Sequence, residues 1–345
     1  MARARMDHRA RRQVAIWLLA LCALLFVMIV IGGITRLTRS GLSIVEWQPI
    51  VGTLPPLSET QWLELFDKYK LTPEYKQVNR GMSLQEFKGI FWWEYIHRLL
   101  GRLIGLGFLL PYLAFLLRKR LDRYNAWRLG FVFLLGAAQG AMGWYMVMSG
   151  LVDDPRVSHF RLTAHLGLAF AIFAAMFWIA LDMLEPSAAR TAYRTRLSGG
   201  ALALVALVFL MILSGGLVAG IRAGYAYNTF PLMNDHFVPP EIFMLEPWHL
   251  NFFYNMATVQ FDHRLIAWLL MIVVPLMWWT TRRNRVPPTA RLAASCLLAA
   301  AALQVSLGIT TLLLRVPVVL GAAHQGGAVL VFAAALWLAH ALRPT

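Results

Sequence analysis

The sequence predicts an all-α integral membrane protein whose eight transmembrane helices form two tandem, pseudo-symmetric four-helix bundles. Three observations lead to this fold class. The 345-residue chain is 59% hydrophobic and only 14% charged, which is unlike the composition of an average soluble domain. Eight apolar runs are each long enough to cross a bilayer, for which about 20 residues are needed. Motifs of the first half also recur in the second half.

The eight predicted spans follow one another along the whole chain. The first begins after a basic stretch, and its apolar run is too long for a signal peptide, so we predict that it remains a span. The two cysteines, Cys22 and Cys296, lie far apart inside apolar runs, which excludes a disulfide scaffold. The predicted spans lie near residues 14–35, 96–117, 129–149, 162–184, 200–220, 262–280, 292–314 and 317–341.

The net charge of +15 is distributed unevenly between the two sides of the predicted membrane domain. The termini and the short connections on their side contain 18 Lys and Arg residues but only four acidic ones, whereas the opposite side contains 14 basic and 13 acidic residues. This asymmetry predicts that both termini are cytoplasmic in a bacterial inner membrane. The charge therefore indicates orientation in the lipid bilayer, and no nucleic-acid partner is predicted. The long loops 36–95 and 221–261 then face the periplasm.

An internal repeat relates the two halves of the chain. The Glu-x-x-His-Arg motif of residues 94–98 resembles the Gln-x-x-His-Arg motif of residues 260–264. Because each repeat has four spans, both halves enter the membrane in the same orientation. The repeat predicts an N-terminal bundle over residues 1–190 and a C-terminal bundle over residues 191–345.

Four of the nine histidines lie in the outer turns of spans two, four, six and eight. Ionisable side chains at this depth are costly and usually face the bundle interior. A single such histidine is more often an interhelical hydrogen-bonding group, but four at one level favour ligands. Two histidines per bundle are too few for a zinc site, whereas haem iron needs only two axial ligands. The four residues are His97, His165, His263 and His324.

Charged residues next to these histidines distinguish the two predicted haem sites. Arg98 and Arg264 suit haem propionates, although arginines in such positions also extend to lipid headgroups. Glu94 lies three residues before His97, whereas the second half has Gln260. A carboxylate beside one haem only predicts that this haem is chemically altered while the other is retained. The alternative is a structural Glu94 paired with an arginine.

Together these motifs resemble the haem A synthase family over essentially the whole chain. The resemblance implies oxidation of the C8 methyl group of haem O to the formyl group of haem A, through successive hydroxylations. It implies that His97 and His165 flank the iron of the substrate haem, with Glu94 catalytic. It also implies that His263 and His324 are the axial iron ligands of a haem b cofactor in the C-terminal bundle. The motifs are residues 94–98, 163–165, 262–264 and 323–325.

Neither long loop contains a cysteine, so the sequence resembles the cysteine-less branch found in proteobacteria and mitochondria. The resemblance further implies haem O synthase and cytochrome c oxidase assembly factors as partners, and it leaves a homo-oligomer open. Two other functions remain alternatives at this point. One is a di-haem b-type electron carrier, and the other is a haem-delivery protein without catalysis.

Overall fold

A computed structural model of the chain describes residues 6–48, 51–185 and 196–343. The predicted all-α class is confirmed, and eight of the helices are long and apolar enough to cross a membrane. The chain is therefore a multi-pass membrane protein. The predicted boundary between residues 190 and 191 lies outside the described residues. The eight helices are α1 (His8–Leu37), α4 (Leu84–Leu117), α5 (Arg123–Met148), α6 (His159–Leu184), α7 (Arg196–Gly220), α9 (Met256–Arg283), α10 (Pro288–Leu313) and α11 (Val318–Leu342).

Helix α4 begins at Leu84 rather than near residue 96, where its apolar run starts. A capping box fixes this end, because Ser83 Oγ accepts a hydrogen bond from the Glu86 N–H and the Glu86 carboxylate accepts one from the Ser83 N–H. The outer turns alternate between apolar and polar residues, so a search for apolar runs does not detect them. Helix α4 therefore projects beyond its apolar stretch.

The projecting turns of α4 anchor the first long loop. This loop contains α2 (Glu59–Lys70) and α3 (Pro73–Gln77). The aromatic side chains of α2 pack against those of α4, and burial of such rings is a large stabilising term. The second long loop contains short helical turns and α8 (Asn251–Tyr254). The buried aromatic cluster over α4 consists of Trp62, Phe66, Tyr69, Phe87, Phe91 and Tyr95.

The transmembrane helices contact one another in two rings. Helices α1, α4, α5 and α6 are neighbours around the first ring, and α7, α9, α10 and α11 are neighbours around the second. Between the rings, α1 packs on α11, α7 packs on α6, and α6 packs on α11. The first helix of each ring therefore contacts the last helix of the other ring. Close approach requires glycine here, since a methyl group at Gly216 would lie 3.2 Å from the Thr163 Cα. This arrangement is consistent with the predicted tandem repeat.

A charged cluster joins the two ends of the described chain. The Asp182 carboxylate pairs with Arg128 at 2.8 Å, with His340 at 3.2 Å and with Arg343. The guanidinium group of Arg11 donates to the Asp182 carbonyl oxygen at 2.8 Å. These contacts place both ends on one face, which we call the terminal face. The opposite face, which carries the long loops, is called the loop face.

Replacement of Asp182 by alanine is expected to destabilise the protein by about 3 kcal/mol, because it leaves a partly buried cluster of cations without their acceptor. Thermal unfolding of the purified protein in detergent measures the effect as a lower Tm. The control is Asp154→Ala, since Asp154 pairs only with exposed Arg156 and is expected to contribute less than about 1 kcal/mol. Equal Tm values for the two variants would contradict this prediction.

Candidate functional site

The four predicted histidines form two pairs, one inside each ring of helices. His97 of α4 and His165 of α6 belong to the first ring, and His263 of α9 and His324 of α11 belong to the second. In each ring the two histidines come from helices that lie on opposite sides. The two members of each pair are close enough to interact electrostatically. All four histidines are partly rather than fully buried, as expected for residues that can take a ligand.

Each imidazole lies against a glycine of a neighbouring helix that supplies no histidine. A methyl group at Gly308 would lie 2.8 Å from Cε1 of His324, and one at Gly32 would lie 2.9 Å from Cε1 of His97. No other residue fits at such distances without displacing the ring. The sequence predicted Gly143 and Gly308 among the glycines of an apolar haem slot, but it did not assign Gly32 and Gly215 to the site. The signal in the sequence that could have found them is that Gly32 of the first half recurs as Gly215 in the second half. The four pairs are Gly32 with His97, Gly143 with His165, Gly215 with His263, and Gly308 with His324.

Hydrogen bonds orient the histidine-bearing segments in both halves. The Gln139 amide donates to the carbonyl oxygen of His165 at 3.0 Å, and the Gln304 amide donates to that of His324 at 2.8 Å. The Nδ1 atom of His263 lies 2.8 Å from the hydroxyl of Ser214. A partner on Nδ1 fixes the ring and leaves Nε2 as the ligating atom. A glutamine amide therefore holds the backbone at one histidine of each ring. In the second ring a serine hydroxyl also contacts the other histidine.

The donor set indicates which group the site can hold. Among the described residues, no three His, Cys, Asp or Glu side chains converge as a metal ion would require. Zinc normally takes at least three protein ligands, so a bare zinc ion does not fit the paired histidines. A haem iron needs two opposed imidazoles and an accessible space between them. A pair of partly buried histidines from opposite helices fits haem in each half.

Glu94 is buried beside His97 and is fully hydrogen-bonded. Its Oε2 accepts from the Ser43 hydroxyl at 2.7 Å and from the Ile44 N–H at 2.9 Å. Its Oε1 accepts from Nη2 of Arg98 at 2.5 Å and from Nε at 3.1 Å. The structure therefore contains the ion pair between Glu94 and an arginine, Arg98, that the alternative interpretation of Glu94 predicts. Four donors hold this carboxylate in one position.

Gln260 occupies the equivalent position in the second half, but it donates a hydrogen bond to the loop backbone, whereas Glu94 accepts one. Its amide donates to the Ala223 carbonyl oxygen at 2.8 Å, and its Oε1 accepts from Arg264 at 3.1 Å. The guanidinium group of Arg98 also donates to the carbonyl oxygen of Ile44 at 2.9 Å, and that of Arg264 donates to the carbonyl oxygen of Tyr227 at 3.0 Å. Both arginines tether the loop to the bundle. Their binding of haem propionates stays a prediction.

The replacement Gly308→Ala is expected to push His324 out of position and to lower haem content in the second half. Overpacking of this kind typically costs about 1–3 kcal/mol, which corresponds to a loss of affinity of about 5- to 150-fold. The haem-to-protein ratio of the purified variant measures this loss. A methyl group at Gly199 meets nothing within 4 Å, so Gly199→Ala is the matched control. Unchanged haem content in Gly308→Ala would contradict the proposed packing.

Comparison with known proteins identifies the family. A sequence model of the family described as cytochrome oxidase assembly protein matches residues 15–336. The chain belongs to this family. The membership predicted from the histidine motifs is thereby confirmed, and it extends over both rings of helices.

Several members of the cytochrome oxidase assembly protein family are highly similar to this chain. A protein from Nitrosospira multiformis named "Heme A synthase" is 63% identical over 96% of this chain and 94% of its own length. Proteins of the same name from Nitrosomonas eutropha and Parvibaculum lavamentivorans are 57% and 50% identical, covering 95% and 97% of this chain and 93% and 95% of their own lengths. The similarity therefore includes all eight membrane helices.

Proposed function

We propose that this protein is a haem A synthase. It oxidises the C8 methyl group of haem O to a formyl group by successive hydroxylation and so provides haem A for cytochrome c oxidase. The observation that carries the proposal is the pairing of two matched histidine sites, of which only one has a buried carboxylate. The near full-length similarity to proteins named "Heme A synthase" supports the same reaction.

We propose that the first ring of helices receives haem O between His97 and His165. Glu94 lies in this ring, whereas the second ring has the neutral Gln260. Helices α4 and α5 of this ring are also the least covered of the eight membrane helices, with 6% of the most apolar stretch of each buried, against 22% for α9 and 17% for α10. This lightly packed wall favours passage of a large substrate between the lipid and the first ring.

We propose that the second ring retains haem b between His263 and His324. Ser214 fixes the His263 ring, and Gln304 holds the backbone at His324. When bound, haem b supplies one-electron redox chemistry. The contribution of the chain is to orient the two imidazoles and to exclude other ligands.

Glu94 acts in this proposal as a fixed negative charge rather than as a mobile base. Its oxygens already accept four hydrogen bonds, so taking up a proton would disrupt the contacts with Ser43, Ile44 and Arg98. A preorganised charge stabilises positive charge that develops on a neighbouring substrate, without reorganisation during the reaction. Glu94 also keeps the first loop in place above His97.

We further propose the orientation and the partners. The terminal face, with most of the Lys and Arg residues, lies in the cytoplasm of a bacterial inner membrane. The loop face and the outer-turn histidines lie toward the periplasm. Haem O synthase upstream and cytochrome c oxidase assembly factors downstream are the proposed partners, because haem is hydrophobic and benefits from direct transfer.

Haem extraction tests the proposal directly. Cells that lack their own haem A synthase but make haem O are transformed with this chain, and the membrane haems are separated by chromatography. We expect haem A or its hydroxylated precursor with the natural sequence and neither with His97→Ala. A di-haem electron carrier or a delivery protein would leave haem O unchanged. That result would overturn the proposed function.

A further inference from the structure

Three arginines gather on the loop face where the two rings of helices meet. Arg36 lies in the last turn of α1, and Arg39 and Arg222 each lie two residues beyond the ends of α1 and α7. All three line a single cavity of about 360 Å³. We call this set the arginine cluster. The remaining lining residues are Leu37, Tyr225, Ala226 and Met256.

The arginine cluster is not neutralised by a direct ion pair in the part of the chain that the structure describes. None of the three guanidinium groups makes a hydrogen bond or an ion pair there. Burial and the charge of Arg39 lower the pKa of Arg222. Glu74 is the acid that interacts electrostatically with both Arg39 and Arg222, and burial together with Glu94 raises the pKa of Glu74 to about 7. Near neutral pH this acid is only partly ionised, so the cavity keeps an excess of positive charge.

Arg39 and Arg222 occupy equivalent positions of the internal repeat. Each follows, by seven residues, the glycine that contacts a histidine: Gly32 in α1 and Gly215 in α7. Each helix continues for five residues beyond its glycine, about 7.5 Å along the helix axis, and the arginine follows two residues after the helix ends. The two arginines therefore lie outward of the two histidine pairs. Helices α1 and α7 supply no histidine ligand, and each lies between the two helices of its ring that do.

We propose that the arginine cluster binds the carboxylates of the haem propionates and that the two haem sites share it. This inference rests on the proposed function. Haem carries two carboxylates, and neutral imidazole ligands do not balance their charge. Arg98 and Arg264 already donate to loop carbonyl oxygens, whereas the cluster offers unpartnered guanidinium groups, which bind carboxylates strongly. Two of its members come from the first half and one from the second.

Haem esters separate a carboxylate contact from a general effect on the fold. The full-length protein is freed of haem and reconstituted either with haem b or with its dimethyl ester, in which both propionates are neutral. Haem dissociation is then followed in the natural sequence, Arg39→Gln and Arg222→Gln. The control is Arg80→Gln, because Arg80 is an exposed arginine of the first long loop.

With haem b, we expect dissociation to be about ten- to a hundredfold faster in Arg39→Gln and Arg222→Gln, the range for losing a hydrogen bond to a charged group. With the ester, the variants and the natural sequence are expected to dissociate alike. The Arg80→Gln control is expected to behave as the natural sequence with both haems. Arg222→Lys keeps the charge and is expected to give an intermediate rate, which provides a second measurement if a glutamine variant does not fold.

Two results would overturn the inference while the proposed function stands. One is a low-spin haem that dissociates from both glutamine variants at the natural rate. The other is an equal acceleration with haem b and with the ester, which would show that the arginines act on the fold. A natural protein that binds no haem at all would overturn the proposed function together with the inference.

Discussion

Replacing His263 or His324 by alanine is expected to abolish the low-spin haem spectrum of the second ring. Each replacement removes one of the two proposed axial ligands. Haem affinity is expected to fall by more than the roughly 10- to 100-fold loss that is typical when only a supporting residue of a metal site is changed. Reduced-minus-oxidised spectra and the haem-to-protein ratio of the purified protein measure the effect.

Several controls make this prediction specific. His249 is an exposed loop residue, and His249→Ala should leave the spectrum unchanged. Ser214→Ala removes only the partner of the His263 Nδ1 atom, so it should retain haem with reduced affinity. His97→Ala should abolish haem A formation while the haem of the second ring is kept. Full low-spin haem in both His263→Ala and His324→Ala would show that the second ring is not the haem b site.

Replacing Glu94 by glutamine is expected to lower haem A formation about a hundredfold, the effect typical of removing a preorganised electrostatic group. Glutamine keeps the size of the side chain and one carbonyl acceptor, and it reproduces the residue found at position 260. The charge beside His97 is lost. Formation of haem A and of its hydroxylated precursor, normalised to the amount of protein in the membrane, measures the effect.

The structural role of Glu94 is separated from its charge by comparing variants. Glu94→Ala also removes the acceptors of Ser43, Ile44 and Arg98, and it is expected to lower the Tm as well as activity. Glu94→Gln should keep the haem spectrum of the second ring and change the Tm less. The surface variant Glu64→Gln is the control for loss of one loop carboxylate. Normal haem A formation in Glu94→Gln would leave Glu94 with a structural role alone.

Much of the fold was predictable because a bilayer imposes strong constraints on sequence. All eight apolar runs became helices, since a spanning segment must satisfy its backbone hydrogen bonds internally. The projecting turns of α4 were missed, because Phe87 and Phe91 are covered by the aromatic residues of a distant loop helix rather than by lipid. Such contacts between separate segments leave no periodic signal in either segment.

The four histidines of the candidate site could be predicted from the sequence, but most of the residues that support them could not. His97, His165, His263 and His324 were indicated by depth and repetition, and the structure pairs them within two rings. Gly143 and Gly308 were indicated as glycines of a haem slot. The glycines Gly32 and Gly215, the hydroxyl of Ser214 and the four donors to Glu94 were not indicated. These contacts depend on how far each side chain extends across a helix interface.

The sequence by itself determined the number of spans, the tandem repeat and the four histidines at one depth. Hydrophobicity, length and recurrence are properties of single segments, so they are visible without coordinates. Only the tertiary structure decided that Arg98 and Arg264 hold the loops and that Arg36, Arg39 and Arg222 surround one cavity without partners. The physical reason is that hydrogen bonds and charge neutralisation are settled between segments far apart in the chain, and only after the helices have packed.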